Sequence, residues 1–220
     1  MLALVLWLAT SQFAEKSAQA APGDIPPQAR AELGPAGFAW VNAEKAPVAR
    51  WWPLAQWRGQ AEPEQVANGL TLSELETGQT LGWLEVLKPM RDFRDREIPA
   101  GIHALRLVSQ PVSDDHNDTA PGPHFAMLVP AGDSDWKKPL NLEEIFNRGK
   151  KILDKHPAVL LLHPGAKPLG KDAPDSPRVL PLDSGWKALA WPQTVKTGSL
   201  SPKLEMRLVV EGHSPAVKAP

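Results

Sequence analysis

Residues 203–211 read Lys-Leu-Glu-Met-Arg-Leu-Val-Val-Glu, and this stretch decides the fold class. Leu204, Met206, Leu208 and Val210 fall on one side of an extended chain, with Glu205, Arg207 and Glu211 on the other. A period of two marks a strand with one face in a core. A slip of one residue would carry four apolar side chains into water, so the register is expected to be firm.

Working outward, short apolar runs bounded by turn residues recur along the chain, at 38–42, 70–75, 80–87, 102–109, 124–130, 158–163, 178–182 and 187–191. The runs at 70–75 and 80–87 flank Glu76-Thr77-Gly78-Gln79, a loop suited to a hairpin. One segment has a helical period instead. Leu142, Ile145, Phe146, Ile152 and Leu153 make a stripe over 142–155, Asn141 can cap it, and Glu143 and Glu144 suit its first turn. The strands follow too closely for βαβ units. The expectation is a mainly β chain: a single β-sandwich or jelly-roll-like domain over 37–212, with one amphipathic helix at about 142–155. Residues 21–36 are expected to be a flexible lead-in and 213–220 a flexible tail.

Proline fits this picture. There are 24 in 220 residues, about twice the usual share of ~5%. Pro89, Pro99, Pro111, Pro130, Pro157, Pro181 and Pro202 sit at or beyond the ends of the apolar runs, where a missing N–H leaves no ladder bond unmade. Hydrophobic residues make up 42% and charged residues 22%, the range of a globular chain. With 24 Lys+Arg against 25 Asp+Glu the net charge is −1. That argues against nucleic acid as a partner, because such binders carry a basic excess. Cysteine is absent, which excludes disulfides, thiol catalysis and cysteinyl zinc sites.

Residues 2–9 (LALVLWLA) are an unbroken apolar run, far short of the ~20 residues a membrane helix needs. A polar stretch follows and ends in Ala18-Gln19-Ala20-Ala21, a small-residue cleavage pattern. Residues 1–20 are therefore expected to be a secretory signal peptide, with no basic residue before the apolar run. The expected location is exported, periplasmic or extracellular, with no membrane span in the mature chain.

Between 92 and 130 the chain carries Ile98-Pro99-Ala100-Gly101, Gln110-Pro111, His116, Ala120-Pro121 and Phe125. This order resembles a segment of certain uncharacterised exported bacterial proteins, as does the Trp-rich Trp51-Trp52-Pro53-Leu54-Ala55-Gln56-Trp57. The sequence departs from that pattern in having His103 where an aromatic is usual, and acidic residues where the loop commonly has Gly. The resemblance implies an exported β-domain and no particular reaction.

Two clusters are candidate sites. Asp114, Asp115, His116 and Asp118 share one loop with Ser113 and Asn117, and His124 follows. Carboxylates suit a hard divalent cation and imidazole a transition metal, so these five residues are candidate metal ligands. The spacing is not that of an EF-hand, and the competing reading is a solvated turn bonded to its own backbone. Trp51, Trp52 and Trp57, with Trp40 nearby, are candidate ligand-binding residues, since exposed indoles make a flat platform for sugar rings; the competing reading is core packing. Elsewhere, Gly165 to Asp172 comes close to a phosphate loop but has Asp where a hydroxyl is needed, and no phosphate site is expected. His103 shares a face with Leu105 and Leu107 and reads as a core histidine. The alternating charges from Arg91 to Glu97 read as a solvated loop. Ser184 and Ser214 lack a nucleophile's context. No catalytic constellation emerges. The function expected is a non-catalytic exported β-domain with a protein or carbohydrate ligand. The alternatives are a metal-dependent enzyme or metal-binding protein using the 114–124 loop, and a carbohydrate-binding module using the 51–57 segment.

Overall fold

The computed structural model describes residues 14–17, 19–35, 37–42, 46–110, 120–132, 134–163, 165, 176–183 and 185–214. In chain order the elements are β1 (Ala14–Ser17), α1 (Pro27–Arg30), β2 (Gly37–Val41), β3 (Pro47–Pro53), β4 (Gln56–Arg58) and α2 (Pro63–Asn68). A 3-10 turn at Leu72–Glu74 leads to β5 (Thr80–Val86), β6 (Met90–Arg91), β7 (Glu97–Ile98), β8 (Gly101–Ser109) and β9 (His124–Pro130). The last elements are α3 (Leu142–Gly149), β10 (Val159–Leu161), β11 (Arg178–Pro181), β12 (Lys187–Lys196) and β13 (Lys203–Glu211).

The fold is mainly β and sandwich-like, built on a curled antiparallel sheet. One sheet runs in the order β1-β2-β3-β5-β8-β9-β10, and the second in the order β11-β12-β13 with β4 parallel to β12. A bridge between Leu162 and Leu208 joins β10 to β13, and β1 lies beside β11. The two sheets therefore curl toward a ring around one core. Register sets Phe38, Trp51, Leu84 and His103 in a row across four strands. From the opposite wall Trp191, paired with Met206, meets the edge of Trp51 at 5.9 Å between ring centroids. Aromatic pairs in this geometry add about 0.5–1.5 kcal/mol to the area they bury.

A second buried layer lies outside the first sheet. Trp52 and Trp83 pair across β3 and β5 on the face opposite Trp51. Trp83 donates Nε1 to the Ala131 carbonyl at 3.0 Å and stacks edge-on against Trp136. Arg106 is fully buried and donates to the carbonyls of Gly78, Asp135 and Lys138 at 3.1, 3.0 and 2.7 Å. A buried guanidinium bonded this way pins the 134–140 segment to the sheet. α3 follows, closed at its start by reciprocal Asn141–Glu144 hydrogen bonds and packed on β9.

Several expectations need correction. Over residues 21–35 the expected flexible lead-in is packed: Ile25 and Ala29 are fully buried, and the Gly34 N–H donates to the Pro53 carbonyl at 2.8 Å. Residues 70–75 form no strand. Thr71 caps the 3-10 turn there, so the expected hairpin is absent and β5 pairs with β3 and β8 instead. The helix stops at Gly149 rather than Lys155. A Cβ at 149 would lie 2.5 Å from Pro157 Cβ and 2.8 Å from the Leu128 carbonyl oxygen, so the chain crosses β9 there and turns. Ile152 and Leu153 still pack on the core, from the turn beyond the helix. At the C-terminus Ser214 is buried and its N–H donates to the Phe93 carbonyl at 2.8 Å, so the ordered part runs past 212.

Candidate binding cleft

The loop from Met90 to Ile98 is organised by one carboxylate. Asp92 is fully buried. Its Oδ1 accepts the N–H groups of Arg94 and Arg96, both at 2.9 Å, and its Oδ2 accepts the Arg96 guanidinium at 2.5 and 3.2 Å. Val159 N–H adds a longer bond of 3.3 Å. Arg96 then reaches the carbonyls of His156 and Pro157, both at 2.6 Å, and Phe93 N–H donates to the Val159 carbonyl. Arg91, Arg94 and Glu97 are exposed as a solvated loop requires, but Asp92 is not. The segment builds a hairpin, β6 with β7, tied to β10 through an ion pair whose carboxylate is fully buried and whose guanidinium is partly exposed.

That hairpin forms one wall of a cleft of about 370 Å³ at the end of the ring where β2 finishes and β3 begins. The other walls come from Trp40 of β2, Val48 of β3 and the end of β13 with His213. Trp40, Val48, Met90 and Val210 give apolar surface, while Arg91, Asp95, Glu211 and His213 give polar groups. The charges are committed: Arg91 donates to the Asp95 carbonyl at 2.7 Å and pairs with its carboxylate at 3.2 Å, and Glu211 holds Lys187 at 2.9 Å. Asp95 has a φ of 60°, a left-handed conformation that Asp tolerates better than most residues. Gly212 has a φ of 124°, and any Cβ there would strike the Trp186 ring at 2.3 Å. Val210 is the bulged residue of β13, since Lys187 pairs with Glu211 and Ala188 with Val209. The bulge turns Val210 out of strict alternation and into the cleft.

Of the tryptophans singled out in the sequence, Trp40 alone lines the cleft. Asp114, Asp115, His116 and Asp118 fall outside the described residues. His124 is half-buried at the start of β9, paired with Ser109 at the end of the ring opposite the cleft. Burial pushes its imidazole below the ordinary histidine value, with Glu74 pulling weakly the other way. Among the described residues no group of three His, Asp or Glu side chains is placed to hold a metal. Trp51, Trp52 and Trp57 are 1%, 4% and 1% exposed, so none offers a face to a sugar. Each sits in the core because neighbouring strands cover both faces of this segment, and Trp57 Nε1 donates to the Leu81 carbonyl at 2.7 Å. His103 is a buried histidine, its Nε2 3.1 Å from the Pro99 carbonyl oxygen. Of the near-phosphate loop, Gly165 alone is described.

Sequence reasoning missed the cleft because its walls come from four separated stretches, none with a recognisable motif. The available signal was Asp92, a carboxylate followed by arginines at the second and fourth positions beyond it. Compared with protein-family models, with curated proteins and with solved structures, the chain matches none.

Proposed function

We propose that this protein acts outside the cytoplasm as a non-catalytic binding domain, and that the cleft between the 89–95 hairpin and the 210–213 segment is its ligand site. The observation that carries the reading is the cleft's construction. An apolar floor is rimmed by opposed charges, and the hairpin wall is held by the buried Asp92. Rigid walls reduce the ordering cost of binding. The volume lies at the lower end of the range for small-molecule sites. Paired rim charges orient a ligand rather than attack it. The ligand class that fits has an apolar body, seated on Trp40, Val48, Met90 and Val210, and a polar end at Arg91 and His213. Export is supported by the apolar run at 2–9, the Ala18-x-Ala20 pattern and the likeness of 92–130 to exported bacterial proteins.

An amphiphilic probe tests this. Titration with 8-anilinonaphthalene-1-sulfonate, followed by NMR, is expected to shift the Trp40 indole N–H and the amides of 89–95 and 210–213 as one set. Val210→Arg, which projects a long charged chain into the cleft, is expected to abolish those shifts in a protein with unchanged dispersion. Shifts scattered over the surface, or retained in Val210→Arg, overturn the assignment.

A further inference from the structure

The edge of β2 points to a second part of this site. β1 pairs antiparallel with β2, Ala14 opposite Trp40 and Ser17 opposite Gly37, and lies beside β11 on its other side. The span between β2 and β11 is thus filled by one strand. Ala14 is also opposite the tryptophan that floors the cleft, so this strand position runs directly into it. The four residues that occupy it all precede the Ala18-x-Ala20 cleavage pattern. On the export reading, processing removes them and leaves the backbone N–H and C=O groups on one edge of Gly37 to Trp40 without their strand partner.

We propose that the gap between β2 and β11 is a strand-accepting site. The leader covers it before export, and an extended peptide segment of a partner protein, antiparallel to β2, occupies it afterwards. An open edge is a template for strand addition, in which main-chain bonds give affinity and alternate side chains give specificity. The width decides the occupant. A second folded copy would bring a whole sheet edge, and β11 leaves room for a lone strand only. In the leader the residues opposite Trp40 and Phe38 are Ala14 and Lys16, so the segment's alternate residues are a small one beside Trp40 and one with a long apolar stem beside Phe38. This rests on the export reading, and the test separates the two.

The probe is a synthetic copy of residues 12–19, QFAEKSAQ. In the full chain carrying Glu15→Cys and Ala39→Cys, the two cysteines are the protein's only ones and lie opposite each other in the register, so oxidation locks β1 in place. Reduced protein is expected to bind the labelled peptide, and oxidised protein to bind it at least about tenfold more weakly, since affinity scales with the open fraction. A peptide with proline at its fourth position, which removes a ladder donor, is expected to lose binding. Equal binding by locked and unlocked protein, or by the proline peptide, overturns the proposal. So does failure of the reduced protein to bind while Phe38–Trp40 amides exchange freely. If locking leaves the chain misfolded, amide exchange of Phe38–Trp40 in the wild-type chain decides instead: protection gained on adding peptide to protein recovered after export supports the site, and unchanged exchange overturns it. The N-terminus of protein recovered outside the cell is read separately by mass spectrometry. A start at Ala21 fits export, whereas a start at Met1 removes the export reading and leaves the lock comparison to decide the slot.

Discussion

Glu205 shows what a single charge does in this fold. Its carboxylate is nearly buried on β13 and is shared by two arginines, Arg178 of β11 and Arg207 two residues along its own strand, the latter at 2.6 Å. Burial alone would raise its pKa, but the hydrogen bonds from Arg207 and Arg178 outweigh that and hold it below the ordinary carboxylate value. A carboxylate whose folded pKa is depressed stabilises the fold fully above its unfolded value, about 4.3, and loses that contribution as pH falls through the folded pKa. Buried His103 adds a second step. Its pKa is lowered, chiefly by burial and despite the Pro99 contact, so below about 6.5 the unfolded state takes up its proton first and stability falls. Urea midpoints are therefore expected to drop in two stages, below about pH 6.5 and again below about pH 4.3. Glu205→Gln is expected to cost on the order of 2 kcal/mol at neutral pH and to flatten the lower stage, leaving the upper one in place. An unaltered acid limb in that variant would falsify the assignment. His103 was legible as a core residue from its alternation with Leu105 and Leu107. Asp92 was not, because a charge in a run of charges looks solvated until the strand it anchors, β10, is known to lie alongside.

Elements were readable where an apolar run or a period of two is bounded by turn residues. β13 and β9 have the bounds expected of them, β13 from its period of two and β9 from an unbroken apolar run that ends at Pro130. β3 was invisible because Trp51 and Trp52 are buried on opposite faces and prolines stand at both of its ends, so the segment shows neither a period of two nor a plain apolar run. β12 was cut short at Trp191 because Pro192 follows. In the structure Pro192 lies between the residues that pair with β11 (187–190) and those that pair with β4 (194–196), so on that side its missing N–H breaks no ladder. The helix was read too long because its apolar stripe continues beyond Gly149 in residues that belong to a turn. That glycine gives an element-scale prediction. Alanine favours a helix interior by about 1 kcal/mol over glycine, so on propensity Gly149→Ala should stabilise α3. The contacts with Pro157 and the Leu128 carbonyl oppose this, both inside the distance real Cβ atoms occupy, with backbone as one of the two obstacles. Packing is expected to win, giving a net loss of about 1–3 kcal/mol, the range for overpacked sites. Thermal denaturation of wild type and Gly149→Ala checks the sign. A rise in Tm would mean that the crossing of α3 over β9 is looser than described.

At the scale of the whole molecule the issue is whether two sheets and an outer layer behave as one unit without a disulfide. The seams are specific. Leu162 bridges Leu208, Gln193 of β12 donates to the Leu54 carbonyl at 3.0 Å, and Trp57 next to β12 donates across to the Leu81 carbonyl of β5. The 21–35 stretch is sewn in as well, through buried Ile25 and the Leu33–Leu54 bridge. A core shared by both sheets leaves no plane along which one could melt while the other keeps its buried face covered, so unfolding should be cooperative. Tryptophans report on this directly: Trp51 and Trp83 belong to the first sheet, Trp191 to the second and Trp136 to the outer layer. In urea, tryptophan fluorescence and far-UV circular dichroism are expected to give superimposable transitions. Ile25→Ala is expected to move both together by about 2–5 kcal/mol with the denaturant slope unchanged, because the deletion leaves a cavity in a core common to all layers. If the stretch were an appendage, the same substitution would leave the midpoint where it was. If the outer layer were a separate unit, the fluorescence change would split from the circular dichroism. Either result would locate the seam that gives way first.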